Sequence, residues 1–218
     1  MKTLAHPSFD EEKIYWQENK LVIGIDEVGR GAFAGPIVAA AVVFPKDFSI
    51  RENLKYVNDS KQVKPILRRK LSKIIKENAL LWSVEEVSVA TINRIGIGKA
   101  NQMVFRKVIA NIVKQKKGEN AFHLLVDGFH VKYIKEIGLK HQKAIVKGDQ
   151  ISFSIAAASI IAKVHRDKIM KSYSRDFPSY RFAKNKGYGT ADHRASLKLF
   201  GLTRLHREIF CRGILTSF

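Results

Sequence analysis

Two runs, Leu21 to Ile25 and Ile37 to Phe44 (IVAAAVVF), are apolar at successive positions rather than alternate ones, the pattern of central strands covered on both faces. They lie close enough in the chain to pair as a hairpin. Leu81 to Val89 alternates as a third strand, with Glu85 and Glu86 interrupting it. Phe122 to Val126 (FHLLV) is a short apolar strand and His141 to Val146 a weaker one. Between them the apolar spacing turns helical. Phe9 to Gln17 has acids in its first turn, and Pro65 to Asn78 has a strongly basic first half. Thr91 to Lys116 carries Ile92, Ile95, Met103, Val104, Val108, Ile112 and Val113, with Gly96 and Gly98 placing the helix start near Lys99. A long helix is predicted from Ser154 to Tyr173, then a loop from Asp176 to Thr190, then two short basic helices, Ala191 to Phe200 and Thr203 to Arg212, around Gly201.

This order predicts an α/β protein with a mixed β-sheet flanked by helices: three consecutive strands in an antiparallel part, then strands reached through helical crossovers. With 218 residues the chain is long enough for one substantial core. We divide it into a peripheral N-terminal segment (1–20), a core (21–175) and a basic, helical C-terminal extension packed on that core (176–218).

Charge changes the picture from fold to partner. The chain holds 39 Lys plus Arg against 20 Asp plus Glu, a formal net charge of +19. Self-repulsion of that size points to a polyanionic partner, nucleic acid first. Lys163 to Arg212 alone carries thirteen basic against four acidic residues, which marks the extension as an electrostatic footprint. A single cysteine, Cys211, excludes a disulfide framework and a multi-cysteine zinc site. The N-terminus is charged where a signal peptide needs its apolar core, and no apolar run approaches the ~18 residues of a membrane span. A cytoplasmic protein, monomeric and away from membranes, is expected.

Three predicted strands end in acid: Asp26-Glu27, Asp127 and, after Gly148, Asp149. If those strands are neighbours, four carboxylates meet at one sheet edge, where ligands of such sheets gather. Side chains alternate along a strand, so Asp26 and Glu27 serve one site only if the chain turns or bulges there. Crowded carboxylates raise one another's pKa and call for cations; oxygen ligands without cysteine favour Mg²⁺ or Mn²⁺, a pair of which ~4 Å apart can act on a phosphodiester. Taken singly, Asp127-Gly128 and Gly148-Asp149 are equally readable as turns. Gly29-x-Gly31-x-x-Ala34 formally matches a dinucleotide fingerprint, but a strand rather than a helix follows Pro36, and Asp26-Glu27 would repel a pyrophosphate. Glycines flanking Arg30 suit close approach of a sugar-phosphate strand, whose 2′-hydroxyl donates and accepts hydrogen bonds. Tyr188, between Gly187 and Gly189, reads as a protruding aromatic for stacking, with Lys184 and Lys186 beside it for phosphates. Lys61, after Asn58-Asp59-Ser60, is another phosphate contact or a solvated loop lysine. His165 and His193 read as surface or helix-end histidines, and Asp167 as an ion-pair partner of the neighbouring Arg166. Thr91, Asn93 and Asn101 read as helix-capping or exposed groups before supporting ones.

Taken together, GIDEVGRGAFAGP, NDSK, LLVDG, VKGD, AAASIIAKVHRD and NKGYGT, in this order from near residue 21 to near residue 207, resemble the ribonuclease HII family. The resemblance implies an RNase H-like fold and endonucleolytic hydrolysis of RNA in RNA-DNA hybrids, or 5′ to single ribonucleotides in duplex DNA, leaving 3′-hydroxyl and 5′-phosphate ends. It implies that Asp26, Glu27, Asp127 and Asp149 hold two Mg²⁺ or Mn²⁺ ions, that Gly29, Arg30 and Gly31 read the ribose hydroxyl, that Tyr188 senses the RNA-to-DNA junction, and that Lys61 contacts phosphate. The chain departs from the family in having Ala156 where Ser is frequent and Asn185 where His is frequent. The AAASIIA run is similar to the type 3 ribonuclease H branch; Arg30, aspartate at 149 and only about 20 residues before the first strand stand against it. A non-catalytic binding module on the same fold is the alternative from another class, and the C-terminal Gly213 to Phe218 is read as a frayed terminus rather than a docking tail.

Overall fold

Gly24 sits in the middle of the first strand, and its missing side chain sets how closely the longest helix approaches the sheet. The computed structural model describes residues 6–116, 121–134 and 137–215, so the end of the C-terminal segment, 216–218, lies outside the described residues. Among these, five strands form one sheet: β1 (Leu21–Val28), β2 (Ile37–Val43), β3 (Leu81–Val87), β4 (Phe122–Asp127) and β5 (Gln142–Ile145), in the spatial order β3-β2-β1-β4-β5. β1 to β3 pair antiparallel, β1 with β2 across a short loop and β2 with β3 across a longer connection that includes a helix, while β4 runs parallel to β1 and β5 parallel to β4. The carboxyl ends of β1, β4 and β5 therefore share one edge.

Eight helices are described: α1 (Asp10–Gln17), α2 (Pro65–Asn78), α3 (Val89–Ile95), α4 (Ile97–Gln115), α5 (Phe153–Asp176), α6 (Phe182–Asn185), α7 (Ala191–Phe200) and α8 (Glu208–Leu215). Alternation along the strands splits the core in two. Val22, Val38, Ala40 and Val42 face α5, α2 and α1, whereas Ile23, Ile25, Ala39, Ala41 and Val43 face α4. The first ten residues of α5, Phe153 to Ala162, are buried on every side, which explains their lack of helical amphipathicity. Its start is fixed twice: the Ser152 hydroxyl accepts from the Ile155 N–H, and the buried Glu12 of α1 accepts from the Ser152 hydroxyl at 2.7 Å and the Ser154 N–H at 2.9 Å. A third apolar cluster joins Ala34 and Met170 to Tyr180, Phe182, Leu197 and Leu205, and so ties the segment after residue 176 to α5 and to the loop after β1. No helix among the described residues is long and apolar enough to cross a membrane.

The mixed sheet and its antiparallel part agree with the expectation from sequence; several details do not. The helical period near Thr91 covers two helices. Gly96 breaks it with φ of 80°, α4 begins at Ile97 rather than Lys99, and Ser88 caps α3 by accepting from the Thr91 N–H. The predicted loop at 176–190 holds a 3₁₀ turn, Pro178–Tyr180, and α6. The connection from β4 to β5 shows a 3₁₀ turn, Leu139–His141, and no crossover helix among its described residues. Thr203 to Arg207 is not helical, because its backbone is engaged elsewhere: the Gly35 N–H donates to Leu205 O at 2.9 Å and the Arg207 N–H to Phe33 O at 2.7 Å.

A Cβ at Gly24 would fall 2.3 Å from the backbone carbon of Ser154. Gly24→Ala should push α5 off β1 and cost about 2–3 kcal/mol or more in urea unfolding. Gly31→Ala, whose Cβ would meet nothing within 4 Å, should leave stability unchanged. Equal stability of the two variants would contradict this packing.

Candidate active site

Asp26 and Glu27 occupy successive positions of an unbroken strand, opposite Ala40 and Ala39 of β2, and the expected turn or bulge between them is absent. The strand runs on through Val28 and turns only at Gly29. Alternation therefore sends Asp26 toward α5 and Glu27 toward the opposite face, yet both line one cavity because they stand at the strand's end, where a side chain can reach around the sheet edge. Asp127 closes the adjacent parallel strand β4. Its Oδ1 accepts the Gly148 N–H at 2.7 Å and so anchors the 3₁₀ turn Gly148–Gln150 that presents Asp149 beyond β5. The four carboxylates share a cavity of about 440 Å³ with Gly29, Arg30, Gly31, Lys61 and Tyr188.

Burial and mutual repulsion push these acids toward the protonated form. Asp26 is raised well above the ordinary range, first by burial and then by Glu27 and Asp127, against a hydrogen bond from Ser159. Burial lifts Glu27 to about 7, opposed by Arg30. Asp149 rises to about 6 through burial, Asp59 and Asp127, opposed by Lys61. Burial also raises Asp127, offset in part by the Gly148 N–H. Among the described residues no three His, Cys, Asp or Glu side chains close into a ready-made ligand cage, so the acids surround a space rather than crowd one point. A set of four carboxylates that cannot comfortably hold its own charge fits hard divalent cations, which Asp26, Glu27, Asp127 and Asp149 could hold.

The opposite wall is the loop from Gly29 to Pro36, held from behind by two fully buried arginines. Arg166 of α5 donates to the carbonyls of Pro36 (3.0 Å), Ala34 (3.0 Å) and Lys186 (2.8 Å). Arg207 donates twice to Gly35 O, at 3.0 and 2.8 Å, and once to Arg30 O at 2.9 Å. Gly29 is required here for an internal reason: its φ is 90° and a Cβ would lie 2.2 Å from Arg166 Nε. Gly31, by contrast, faces open space. Gly187, at φ 79°, packs against Ala34 O, and this brings Tyr188 to the cavity with its ring 5.3 Å from the Arg166 guanidinium carbon and 5.9 Å from Lys163 Nζ. Asn185, the departure noted in the sequence, holds this turn by accepting the Gly187 N–H (2.8 Å) and donating to Tyr180 O (2.7 Å). Ala156, in the first half of α5, is buried in the core.

Of the residues singled out in the sequence, Asp26, Glu27, Gly29, Arg30, Gly31, Lys61, Asp127, Asp149 and Tyr188 line the cavity. Lys186 does not; it lines a separate basic cavity beside α2. Asp167 is an ion-pair partner, but of Lys163 (2.7 Å) and Arg68 (3.3 Å) rather than of Arg166. His165 stands 3.6 Å from Glu86, and His193 at the start of α7 is fully buried against His206, so neither reaches the acids. Thr91, Asn93 and Asn101 are also outside the cavity; Asn93 instead ties the extension down, donating to His206 O and accepting the Glu208 N–H. Not singled out from sequence are Ser60 and Ser159, whose hydroxyls are 2.9 Å apart beside Asp26, as well as Lys163, Asp59, Arg166 and Arg207. The spacing of Lys163 and Arg166 on one helix is the signal that could have found two of them; Arg207 offers none.

A family profile described as "Ribonuclease HII" matches residues 23–213. A protein named ribonuclease HII from Chlorobium luteolum is 42% identical over 200 residues, covering 91% of this chain and 92% of its own. Another of that name, from Caldanaerobacter subterraneus, is 40% identical over 215 residues, covering 99% and 84%. Among solved structures, the PCNA:RNase HII complex from Archaeoglobus fulgidus superposes with a TM-score of 0.67 at 26% identity, over 86% of this chain and 93% of that one. Bst-RNase HIII in complex with Mn²⁺ superposes with a TM-score of 0.68 at 19% identity, over 91% and 71%, a likeness of fold.

The raised carboxylates give a stability signature. A folded-state pKa above the unfolded one means that the native state binds the extra proton, so the contribution is present below the ordinary carboxylate range and is lost as pH rises through about 6 for Asp149 and about 7 for Glu27. In chelator, the thermal midpoint should therefore fall between about pH 5 and pH 8. Asp26→Asn should raise the midpoint at the alkaline end and flatten the fall. A midpoint that climbs over this interval, or an Asp26→Asn protein less stable than the parent at pH 8, would contradict the electrostatic picture.

Proposed function

The chain belongs to the ribonuclease HII family of endoribonucleases, and on that premise we propose that it cuts the RNA strand of RNA-DNA hybrids and incises 5′ to single ribonucleotides embedded in duplex DNA, leaving 3′-hydroxyl and 5′-phosphate ends. The observation that carries this reading is the placement of four carboxylates from three parallel strand ends against a glycine loop and a partly exposed tyrosine in one cavity. Two Mg²⁺ or Mn²⁺ ions held by Asp26, Glu27, Asp127 and Asp149 would supply an activated water and charge stabilisation at the scissile phosphate. No side chain need act as nucleophile.

The remaining residues bind and orient. Gly31 leaves room for a sugar-phosphate backbone, and the amides and carbonyls of Gly29 to Gly31, held in place by Arg207 and Arg166, suit a ribose 2′-hydroxyl that both donates and accepts. Tyr188, partly exposed on the facing wall, offers its ring to the sugar or base 3′ of the cut, where RNA gives way to DNA. Lys61, exposed at the rim, and Lys163, deeper in, are placed for phosphate oxygens. In this reading residues 21–175 form the catalytic core, the 176–218 extension contributes Tyr188 and basic surface, and the protein works as a cytoplasmic monomer on nucleic acid.

Incision of a labelled DNA duplex carrying one ribonucleotide tests this directly. Cleavage on the 5′ side is expected with Mg²⁺ or Mn²⁺ and none with chelator. Asp26→Asn and Asp127→Asn should each lose at least about a hundredfold in rate while remaining folded. Gly31→Ala, neutral for stability, should lower cleavage. Cutting confined to longer hybrids would move the activity toward the type 3 branch, and a chelator-insensitive activity, or a fully active Asp26→Asn protein, would refute the metal-dependent reading.

A further inference from the structure

A second cavity, of about 410 Å³, lies between the first turn of α2 and the outer face of α5. Val164, Asp167, Lys168 and Lys171 fall at i, i+3, i+4 and i+7 and form its α5 wall as a single stripe. Pro65, Arg68 and Arg69 from α2 and Lys186 complete the lining. Five cations thus face one acid. That acid is already engaged, since Asp167 accepts from Lys163 at 2.7 Å and Arg68 at 3.3 Å.

Two features of α2 point to an anion rather than to a merely solvated basic face. No side chain caps its first turn, where the N-cap is Lys64 and no acid is present, so the positive end of a 14-residue helix opens on this cavity. Arg68, only 6% exposed, has its fork occupied by Asp167 and Val63 O, and its Nε–H has no hydrogen-bond partner. A buried guanidinium in the wall, an uncapped helix start and four further cations make a site for a phosphate group.

The cavity also stands in register with the acids. Lys163 lines the carboxylate cavity, Asp167 lies one turn farther along α5, and Lys171 one turn beyond that. Eight residues of helix span about 12 Å, so the far end of this cavity lies within a few nucleotides' reach of the acids. We propose that this cavity seats a backbone phosphate of the substrate duplex a few nucleotides from the scissile position, an assignment that rests on the nuclease reading above. Lys186, which shares a turn with Gly187 and Tyr188, joins this phosphate site to the aromatic that faces the junction.

The test compares two triple variants of equal charge. Arg69→Ala/Lys168→Ala/Lys171→Ala removes exposed residues of the cavity, and Lys99→Ala/Lys107→Ala/Lys114→Ala removes exposed lysines of α4 on the other face of the sheet. Binding of a duplex with one ribonucleotide is measured across salt concentrations, together with KM and kcat. The cavity variant should bind roughly five- to tenfold more weakly, with a slope of log affinity against log salt shallower by about 0.9 for each phosphate no longer neutralised, and with kcat at saturation unchanged. It should also be indifferent to trimming the duplex to two nucleotides on the flank where trimming weakens the parent. The α4 variant should keep the parental slope. Identical slopes for the two variants would overturn the proposal, as would stabilisation of the parent by inorganic phosphate with no change in the cavity variant's affinity for duplex. Failure of the parent to cut any ribonucleotide substrate would instead overturn the nuclease reading, and the slope comparison would still decide whether the cavity holds a nucleic-acid phosphate.

Discussion

Four carboxylates at the carboxyl ends of three parallel strands are pushed toward their protonated forms by burial and by one another. That constraint organises the molecule. It arises from topology: β1, β4 and β5 end at one edge, so Asp26-Glu27, Asp127 and the Asp149 turn are brought together although more than a hundred residues separate the first from the last. Burial beneath α5 makes the crowding worse for Asp26, and Asp59 adds a further acid beside Asp149. Folding alone gives no reason to collect acids there; cations do.

The second organising element is the pair of buried guanidinium groups behind the glycine loop. Their six hydrogen bonds all go to backbone carbonyls, so what they fix is a main-chain shape. One pair of side chains thereby couples the loop after β1 to the Gly187-Tyr188 turn and to the 205–207 segment. The cost is electrostatic. Two cations buried near each other bring Arg207 down to about 9, through burial first and Arg166 second. The wall facing the acids is thus positively biased from within as well as at its rim, which suits a ligand carrying both phosphate and bound cations.

Much of this was legible in the residues. The apolar runs specify β1 and β2, and the acids at strand ends specify the edge at which a site would form. What the pattern could not supply was any arrangement decided by tertiary packing. The strand containing Asp26 and Glu27 needs no bulge because its end, rather than its face, meets the cavity. Thr203 to Arg207 has helical spacing but surrenders its backbone to Phe33 and Gly35. Ser159 is hidden in an apolar helical run, and Arg207 in a basic stretch reads like any surface arginine until its burial is known. Gly29 is the instructive case: a glycine expected to make room for a substrate makes room for Arg166, while Gly31 is the one left open.

Carboxylates that hold protons in place of cations must give those protons up when cations bind. Calorimetric titration of Mn²⁺ into the metal-free protein near pH 6.5, repeated in buffers of different ionisation enthalpy, measures this without any substrate. Binding should release about one proton or more per protein, with less release as pH rises past about 8, and Asp26→Asn should lose most of the affinity. Binding with no proton release, or an Asp26→Asn protein that takes up Mn²⁺ as the parent does, would contradict it.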